Sequence, residues 1–419
     1  MAGYLIQGGR TLRGKITVHG AKNSVLPILA ASLLNRSPEP IRLEGVPDLY
    51  DVRAMLSILA NLGVQSTSQG SDIVLRTDQA DCYHVPEFLM REMRSSIFLL
   101  GPLLGRFGKA SVCYPGGCAI GKRPIDLHLS GLQALGAIIE EKDGYIHARG
   151  KLRGATITLA YPSVGATENL ILAAVLARGV TIIQNAAREP EIEDLQNFLN
   201  KMGAAVEGAG SHTITIKGVH ELGGASYKVY PDRIAAGTYL IAAAITGGQV
   251  TLLDAYPEHL QSLLQLFVQA GLEPKIDGHS ITLEGKPLKA VPEVVTEPFP
   301  GFPTDLQPPL MTMLALCHGV SRVVEKVFPE RFHHVPQLNK IGARISLRGN
   351  TATIHGVRRL YGVTVRATDL RAGAALVLAG LAARGETYVS DIKHIERGYE
   401  NIHLALNSLG ARIERVAST

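Results

Sequence analysis

SVGATENLILAAVLARGVTIIQNAAREPEIEDLQNFLNKMGAAVEGAGSHTITIKGV, residues 163–219, contains the pattern that sets the architecture. Its first part, ATENLILAAVLA (166–177), is apolar on every side, and a helix of that kind is buried all round. A β-rich piece follows, GVTIIQNAA (179–187). EIEDLQNFLNKMG (191–203) then has the mixed faces of an amphipathic helix and ends on a glycine, which suits the left-handed residue that closes a helix. HTITIKGV (212–219) alternates like a strand. The unit reads β-α-β-α-β-β.

The same helix ending recurs in both directions, as NLGV, ALGA, KMGA, QAGL, KIGA and SLGA. Its glycines are Gly63, Gly136, Gly203, Gly271, Gly342 and Gly410, separated by 73, 67, 68, 71 and 68 residues. Six units therefore fill the chain. Each carries its own apolar helix: KNSVLPILAASLL, RSSIFLLGPLL, ATENLILAAVLA, RIAAGTYLIAAAI, DLQPPLMTMLAL and LRAGAALVLAGLAA. Six such helices cannot all lie on a solvated surface. The simplest packing puts helices inside and sheets outside, three units to a globe. The alternative is one open α/β sheet with helices on both faces.

Composition bounds the function. At 419 residues, 46% hydrophobic and 19% charged, the chain is not disordered. A net charge of +5 without a long basic run suits a small anionic ligand better than nucleic acid. Aromatics at 5% and the absence of Trp argue against base-stacking surfaces. Four cysteines without a C-x-x-C pair do not form a disulfide scaffold. The opening MAGYLIQGGR does not read as a signal peptide, and the longest apolar run, 372–383, falls short of the ~20 residues of a membrane span. These features predict a cytoplasmic protein.

Polar residues open each buried helix, about 36 to 45 residues before the capping glycine: Lys22 and Asn23; Arg91, Arg94 and Ser95; Ser163 to Thr167; Asp232 and Arg233; Thr304 and Asp305; Thr368, Asp369 and Arg371. N-capping accounts for Ser163, Thr167, Thr304 and Thr368. It does not account for Lys22, Arg94 or Arg371, because a cation there opposes the helix dipole. Cations at equivalent places predict a shared anion held in a cleft between facing helix ends.

The segment SVCYPGGCAIGKRPIDLH (111–128) places Cys118 among glycines, beside Lys122 and Arg123. Nearby cations favour a thiolate. Cys118 is a candidate nucleophile or proton donor on a lid, the alternative being an inert loop thiol. The loop is not a P-loop. His333 and His334 show no metal-ligand spacing and read as a surface pair, and Cys82, Cys113 and Cys317 read as structural.

Together the six-fold repeat and the motifs GAKN (20–23), MRSS (93–96), PGGCAIGKRPIDLH (115–128), SVGATEN (163–169), NAAREPE (185–191), FPTDLQ (302–307), ATDLRAGAALVLAG (367–380) and HIERGYE (394–400) closely resemble the enolpyruvyl transferases. The resemblance runs over residues 3–416. It implies an inside-out α/β barrel fold of two globes. The first spans 22–230 with a cysteine lid at about 111–124. The second combines 1–21 with 231–419 and carries Asp305, Arg331, Arg371 and Arg397.

The activity implied is transfer of the enolpyruvyl group of phosphoenolpyruvate to the 3′-hydroxyl of UDP-N-acetylglucosamine, through a tetrahedral ketal. Both substrates are anions, as the cationic cleft requires. By the same resemblance Asp305 is the base near the sugar hydroxyl, and Cys118 is the general acid, the adduct-forming thiol and the target of fosfomycin. Lys22, Arg123 and Arg397 hold phosphate and carboxylate, and Arg331 and Arg371 complete the cationic wall. Asn23 and Arg94 meet the ligands beside Lys22. Pro124, Ile125, Asp126 and Leu127 clasp the uridine end together with Arg123. Ser163, Val164 and Gly165 offer N–H groups to the diphosphate, and Val327 offers backbone to the sugar nucleotide. No metal, organic cofactor, nucleic-acid partner or membrane is implied. The rivals are the shikimate branch of the family, a catalytically silent relative that senses UDP-sugars, and a nucleic-acid module.

Overall fold

The computed structural model describes residues 2–114 and 124–417, without the Arg94 side chain. Among these residues the chain forms two compact units, one running from Gly20 to Tyr230, the other holding the residues up to His19 and those from Pro231 onward. Each unit has its own apolar core.

The repeat takes its complete form at 293–355. The incoming strand Glu293–Thr296 pairs in parallel with Val320–Glu325. That strand pairs antiparallel with Thr351–His355, and Arg344–Arg348 lies outermost. Val324 thus stands opposite Val295 on one side and Thr351 on the other. The parallel step needs a crossover, and the buried helix Gln307–Leu314 supplies it. The same strand order recurs with Thr156–Thr158, Val180–Gln184, Thr213–Lys217 and Ala205–Glu207.

Where a repeat lacks an incoming strand of its own, a distant segment provides one. Ser226–Lys228 pairs in parallel with Ile41–Glu44, and Arg13–Thr17 pairs in parallel with Gln249–Leu253. In the last repeat the N-terminal strand Gly3–Gln7 lies between Glu386–Ser390 and Ile413–Val416, antiparallel to both.

Helices lie inside and sheets outside within each unit. Every residue from Arg371 to Leu381 of the helix Leu370–Ala382 is buried. The strands instead alternate, as in Val180–Gln184, where Thr181 and Ile183 are buried and Val180 and Gln184 exposed. Close helix packing requires small residues. A Cβ on Gly101 would lie 2.3 Å from the Asn169 carbonyl oxygen of the neighbouring buried helix. Prolines shorten two of the helices. Gln307–Leu314, with Pro308 and Pro309 in its first turn, is preceded by a 3₁₀ turn at Thr304–Leu306. Leu100–Phe107, with Pro102, is preceded by one at Arg94–Leu99.

All six glycines of the repeat have positive φ, between 89° and 105°, as the left-handed ending requires. Gly203 has φ +102 with no atom within 4 Å of an added Cβ, whereas at Gly63 a Cβ would meet the Gln79 carbonyl oxygen at 2.9 Å. Gly203→Ala should therefore cost only the backbone term, about 1 kcal/mol. Gly63→Ala should cost more. Urea unfolding of both variants checks this order, and equal shifts would contradict it.

Asp194 is wholly buried in the unit of residues 20–230. It accepts the Tyr227 hydroxyl and the Tyr230 N–H, the latter at 3.0 Å. These bonds favour the carboxylate, but burial outweighs them and pushes the group up to about 7. Its pKa in the fold lies above that of the unfolded chain, so its stabilising share is full in acid and is lost as pH rises through 7. Unfolding midpoints should fall between about pH 4 and pH 7, and the Asp194→Asn variant should flatten that slope. A parallel slope in the variant would refute the assignment.

Among the described residues no helix is long and apolar enough to cross a membrane.

Candidate active site

In the unit containing Pro231 onward, Asp305 sits in the 3₁₀ turn ahead of Gln307–Leu314. Arg331 Nη1 donates to its Oδ1 at 2.7 Å. Arg371, at the start of the neighbouring buried helix, donates to its Oδ2 from Nη2 at 2.9 Å and from Nε at 3.2 Å. Arg331 is 4% exposed and Arg371 2%. Both guanidinium groups therefore present little surface to a ligand and spend their charge on the carboxylate between them. The Asp305 side chain is 24% exposed and is the accessible member of the trio.

Arg371 also lies over the Tyr399 ring, 5.2 Å from its centroid. Burial alone would pull its guanidinium down, but Asp305 and Tyr399 outweigh burial and hold it firmly charged, above the ordinary arginine range. Tyr399 is fixed in turn by its hydroxyl, 2.9 Å from Thr238 Oγ1. Arg397 is half-buried at the end of the 3₁₀ turn Ile392–Arg397, two residues before that tyrosine. Glu396 beside it accepts from Arg415 Nε at 2.7 Å and from the Tyr4 hydroxyl at 3.3 Å, which ties the turn to both terminal strands.

Val327 follows the strand Val320–Glu325, and its N–H donates to Glu325 Oε1 at 2.9 Å. The backbone group it can offer a ligand is thus its carbonyl.

In the unit of residues 20–230, Lys22 opens the helix Lys22–Ser32 with no side-chain cap. Its ammonium pairs with Asp51 Oδ2 at 2.7 Å, and the two side chains are 12% and 4% exposed. Asp51 lies in the first turn of Tyr50–Asn61, where a carboxylate suits the dipole. Asn23 is half-buried beside Lys22. Ser163 caps Val164–Ala174 by accepting the Ala166 N–H at 3.4 Å. Val164 and Gly165 form the first turn of that helix, and a Cβ on Gly165 would lie 3.2 Å from Phe98.

Pro124 and Asp126 are exposed, Ile125 is buried and Leu127 half-buried at the start of Asp126–Ala134. Cys118 and Arg123, with the central part of the lid, lie outside the described residues, and so does the Arg94 side chain.

Several expectations are corrected. Of the four capping residues predicted, only Ser163 caps its helix. Thr167 accepts the Ala187 N–H at 3.1 Å, and Thr304 donates to Glu325 at 2.9 Å. Asp369, beside Thr368, caps the last buried helix through the Arg371 and Ala372 N–H groups, both at 3.0 Å. His334 is not a surface residue. It is 1% exposed with Nε2 3.3 Å from Met311 Sδ, and burial pulls it down to about 3. His333 alone is exposed. Apart from these corrections, two helix-start cations have carboxylate partners within their own units, Lys22 in Asp51 and Arg371 in Asp305.

Sequence reading missed Asp51, Glu325, Tyr399 and the pair His128–Asn169. The Asn169 amide bonds the Ile97 carbonyl at 3.2 Å and lies 3.1 Å from His128 Nδ1, while its Oδ1 accepts the Gly101 N–H at 2.7 Å. These two residues stood inside quoted motifs, so the signal was present without a role attached.

Comparison with known proteins identifies the family and the fold. The family described as EPSP synthase (3-phosphoshikimate 1-carboxyvinyltransferase) matches residues 6–406. A UDP-N-acetylglucosamine 1-carboxyvinyltransferase 2 of Caldanaerobacter subterraneus subsp. tengcongensis is 50% identical, over 99% of this chain and 100% of the relative. A UDP-N-acetylglucosamine 1-carboxyvinyltransferase of Coxiella burnetii is also 50% identical, over 99% and 96%. Among solved structures, the enolpyruvyl transferase NikO from Streptomyces tendae superposes with a TM-score of 0.89 at 25% identity, covering 100% of this chain and 99% of that one. EPSP synthase from Acinetobacter baumannii shares the fold, with a TM-score of 0.76 at 19% identity and full coverage of both chains. The chain belongs to the enolpyruvyl transferase family, in the branch whose members are named UDP-N-acetylglucosamine 1-carboxyvinyltransferase.

Proposed function

We propose that the protein transfers the enolpyruvyl group of phosphoenolpyruvate to the 3′-hydroxyl of UDP-N-acetylglucosamine in the cytoplasm, the first committed step of peptidoglycan synthesis. The acceptor hydroxyl loses its proton and its oxygen bonds to C2 of phosphoenolpyruvate, while C3 gains a proton. The tetrahedral ketal then breaks its C2–O bond to phosphate, and C3 gives up a proton to restore the double bond.

Asp305 takes the hydroxyl proton. Arg331 and Arg371 act through Asp305 by holding and aiming its carboxylate. Cys118 delivers the proton to C3 and can form an adduct with phosphoenolpyruvate. Lys22, Arg123 and Arg397 hold phosphate and carboxylate oxygens, because fixed cations stabilise charge that develops on the leaving group. Asn23 and Arg94 meet the ligands beside Lys22. Residues 123–127, the N–H groups at Ser163, Val164 and Gly165, and the Val327 carbonyl hold the sugar nucleotide.

The observation that carries the reading is a partly exposed carboxylate held between two buried guanidiniums at a buried helix start. The test supplies phosphoenolpyruvate with UDP-N-acetylglucosamine or with 3-phosphoshikimate as acceptor and follows phosphate release. Release with the sugar nucleotide alone supports the reading. Release with 3-phosphoshikimate alone moves the protein to the other branch, and sugar-nucleotide binding without turnover makes it a sensor.

Arg397→Ala should lower kcat/KM for phosphoenolpyruvate by about 1–3 kcal/mol, the cost of an unpaired charged partner. Unchanged kinetics would remove Arg397 from the site.

A further inference from the structure

Glu325 ends the strand Val320–Glu325 and is 0% exposed. Four donors converge on its carboxylate. Oε1 accepts the Thr296 hydroxyl at 2.7 Å and the Val327 and Phe328 N–H groups at 2.9 Å each. Oε2 accepts the Thr304 hydroxyl at 2.9 Å. Thr304 in turn accepts from Arg331 Nη1 at 3.0 Å, and the same nitrogen donates to Asp305 at 2.7 Å.

A carboxylate can only accept, so the relay from Arg331 through Thr304 to Glu325 has one direction. The relay joins two places on either side of Glu325. One is the chain at 326–328, where Lys326 N–H is also held, by Thr296 Oγ1 at 3.0 Å. The other is the 3₁₀ turn carrying Asp305. We propose that Glu325 and Thr304 are positioning residues for the acceptor side of the reaction, fixing the Val327 backbone and the Arg331–Asp305 pair relative to each other. This inference rests on the function proposed above.

The competing explanation is a strand-end carboxylate that only stabilises the loop. Hydrogen-bond polarity separates the two. In Glu325→Gln the amide must face either Thr304 or the three donors at Oε1. Facing Thr304, it places a donor on an oxygen that already accepts from Arg331 and leaves the threonine proton unplaced. Facing the other side, it opposes two backbone N–H groups. Thr304→Val breaks the relay without touching a charge, and Thr304→Ser keeps it.

The experiment is steady-state kinetics of the full chain, with UDP-N-acetylglucosamine and phosphoenolpyruvate varied separately, alongside thermal unfolding. Thr304→Val should lower kcat/KM for UDP-N-acetylglucosamine about ten- to a hundredfold, the effect of a buried polar group left unpaired, and should raise its KM well above any change in the KM for phosphoenolpyruvate. Thr304→Ser should restore both. Glu325→Gln should follow Thr304→Val. If Glu325→Gln does not fold, the threonine pair decides alone. A lower unfolding midpoint with both KM values and kcat unchanged would overturn the inference while leaving the proposed reaction standing. A wild-type chain that releases no phosphate from this substrate pair would remove the proposed reaction, and the inference with it.

Discussion

Asp305→Ala is expected to abolish turnover and to destabilise its unit by roughly 3–5 kcal/mol, the usual cost of removing one partner from a buried ion pair. Arg331 and Arg371 are 4% and 2% exposed, and water cannot easily take over from the lost carboxylate. The Arg371 guanidinium has the most to lose, since two of its three nitrogens bond Asp305. Loss of a proton acceptor should lower kcat by at least about 10³-fold. Asp305→Asn separates the two effects. It keeps the shape and one acceptor, so it should recover part of the stability and almost none of the rate. Phosphate release and urea unfolding measure both. Turnover within tenfold of wild type in a folded Asp305→Ala protein would take the base role away from this residue.

Arg106→Met should produce a stability loss of similar size with no chemistry involved. Arg106 ends the helix Leu100–Phe107 and is 9% exposed. Its Nη1 donates to the carbonyls of Leu33 at 2.9 Å and Asn35 at 2.7 Å, and its Nη2 to those of Thr77 at 2.8 Å and Ala80 at 3.0 Å. Leu33 and Asn35 follow the helix Lys22–Ser32, whose last carbonyls have no partner within the helix and attract a cation. Methionine fills the volume but removes the donor of the buried Leu33 and Ala80 carbonyls, at about 1–3 kcal/mol each, while the Asn35 carbonyl keeps the Thr77 hydroxyl and the Thr77 carbonyl keeps the Ala80 N–H. The expected loss is therefore roughly 2–5 kcal/mol, with Arg106→Lys intermediate because one ammonium cannot reach both pairs. A urea midpoint unchanged by Arg106→Met would show that solvent satisfies those carbonyls instead.

Both residues were visible in the sequence, but their meaning was not equally so. Asp305 stood at an equivalent place in a repeat, within FPTDLQ, and drew attention for that reason. Arg106 sat in GRFG with no repeat position or motif around it. Its five carbonyl partners come from residues 33 to 80, and nothing local announces them. The prediction for His334 failed for the same reason. Two adjacent polar residues look alike in a chain, and only the packing of Met311 over one of them makes it part of the core. Capping was half legible. A helix start was correctly placed at 368–371, but the choice between Thr368 and its neighbour Asp369 depends on which side chain the turn points at the free N–H groups.

Local rules reach as far as a few residues: apolar periodicity, the left-handed need of a helix ending, and the stiffness of proline. They settled the six repeats, the buried helices, and the glycines from Gly63 to Gly410, because each such feature is decided by neighbours in the chain. Charge pairing is decided by neighbours in space. The cations at the helix starts drew attention as holders of an external anion, and folding also brings Asp51 to Lys22 across 29 positions and Asp305 to Arg371 across 66. A buried charge costs several kcal/mol unless it is matched, so each carboxylate had to be present. Which one answers which cation followed only from how the repeats pack.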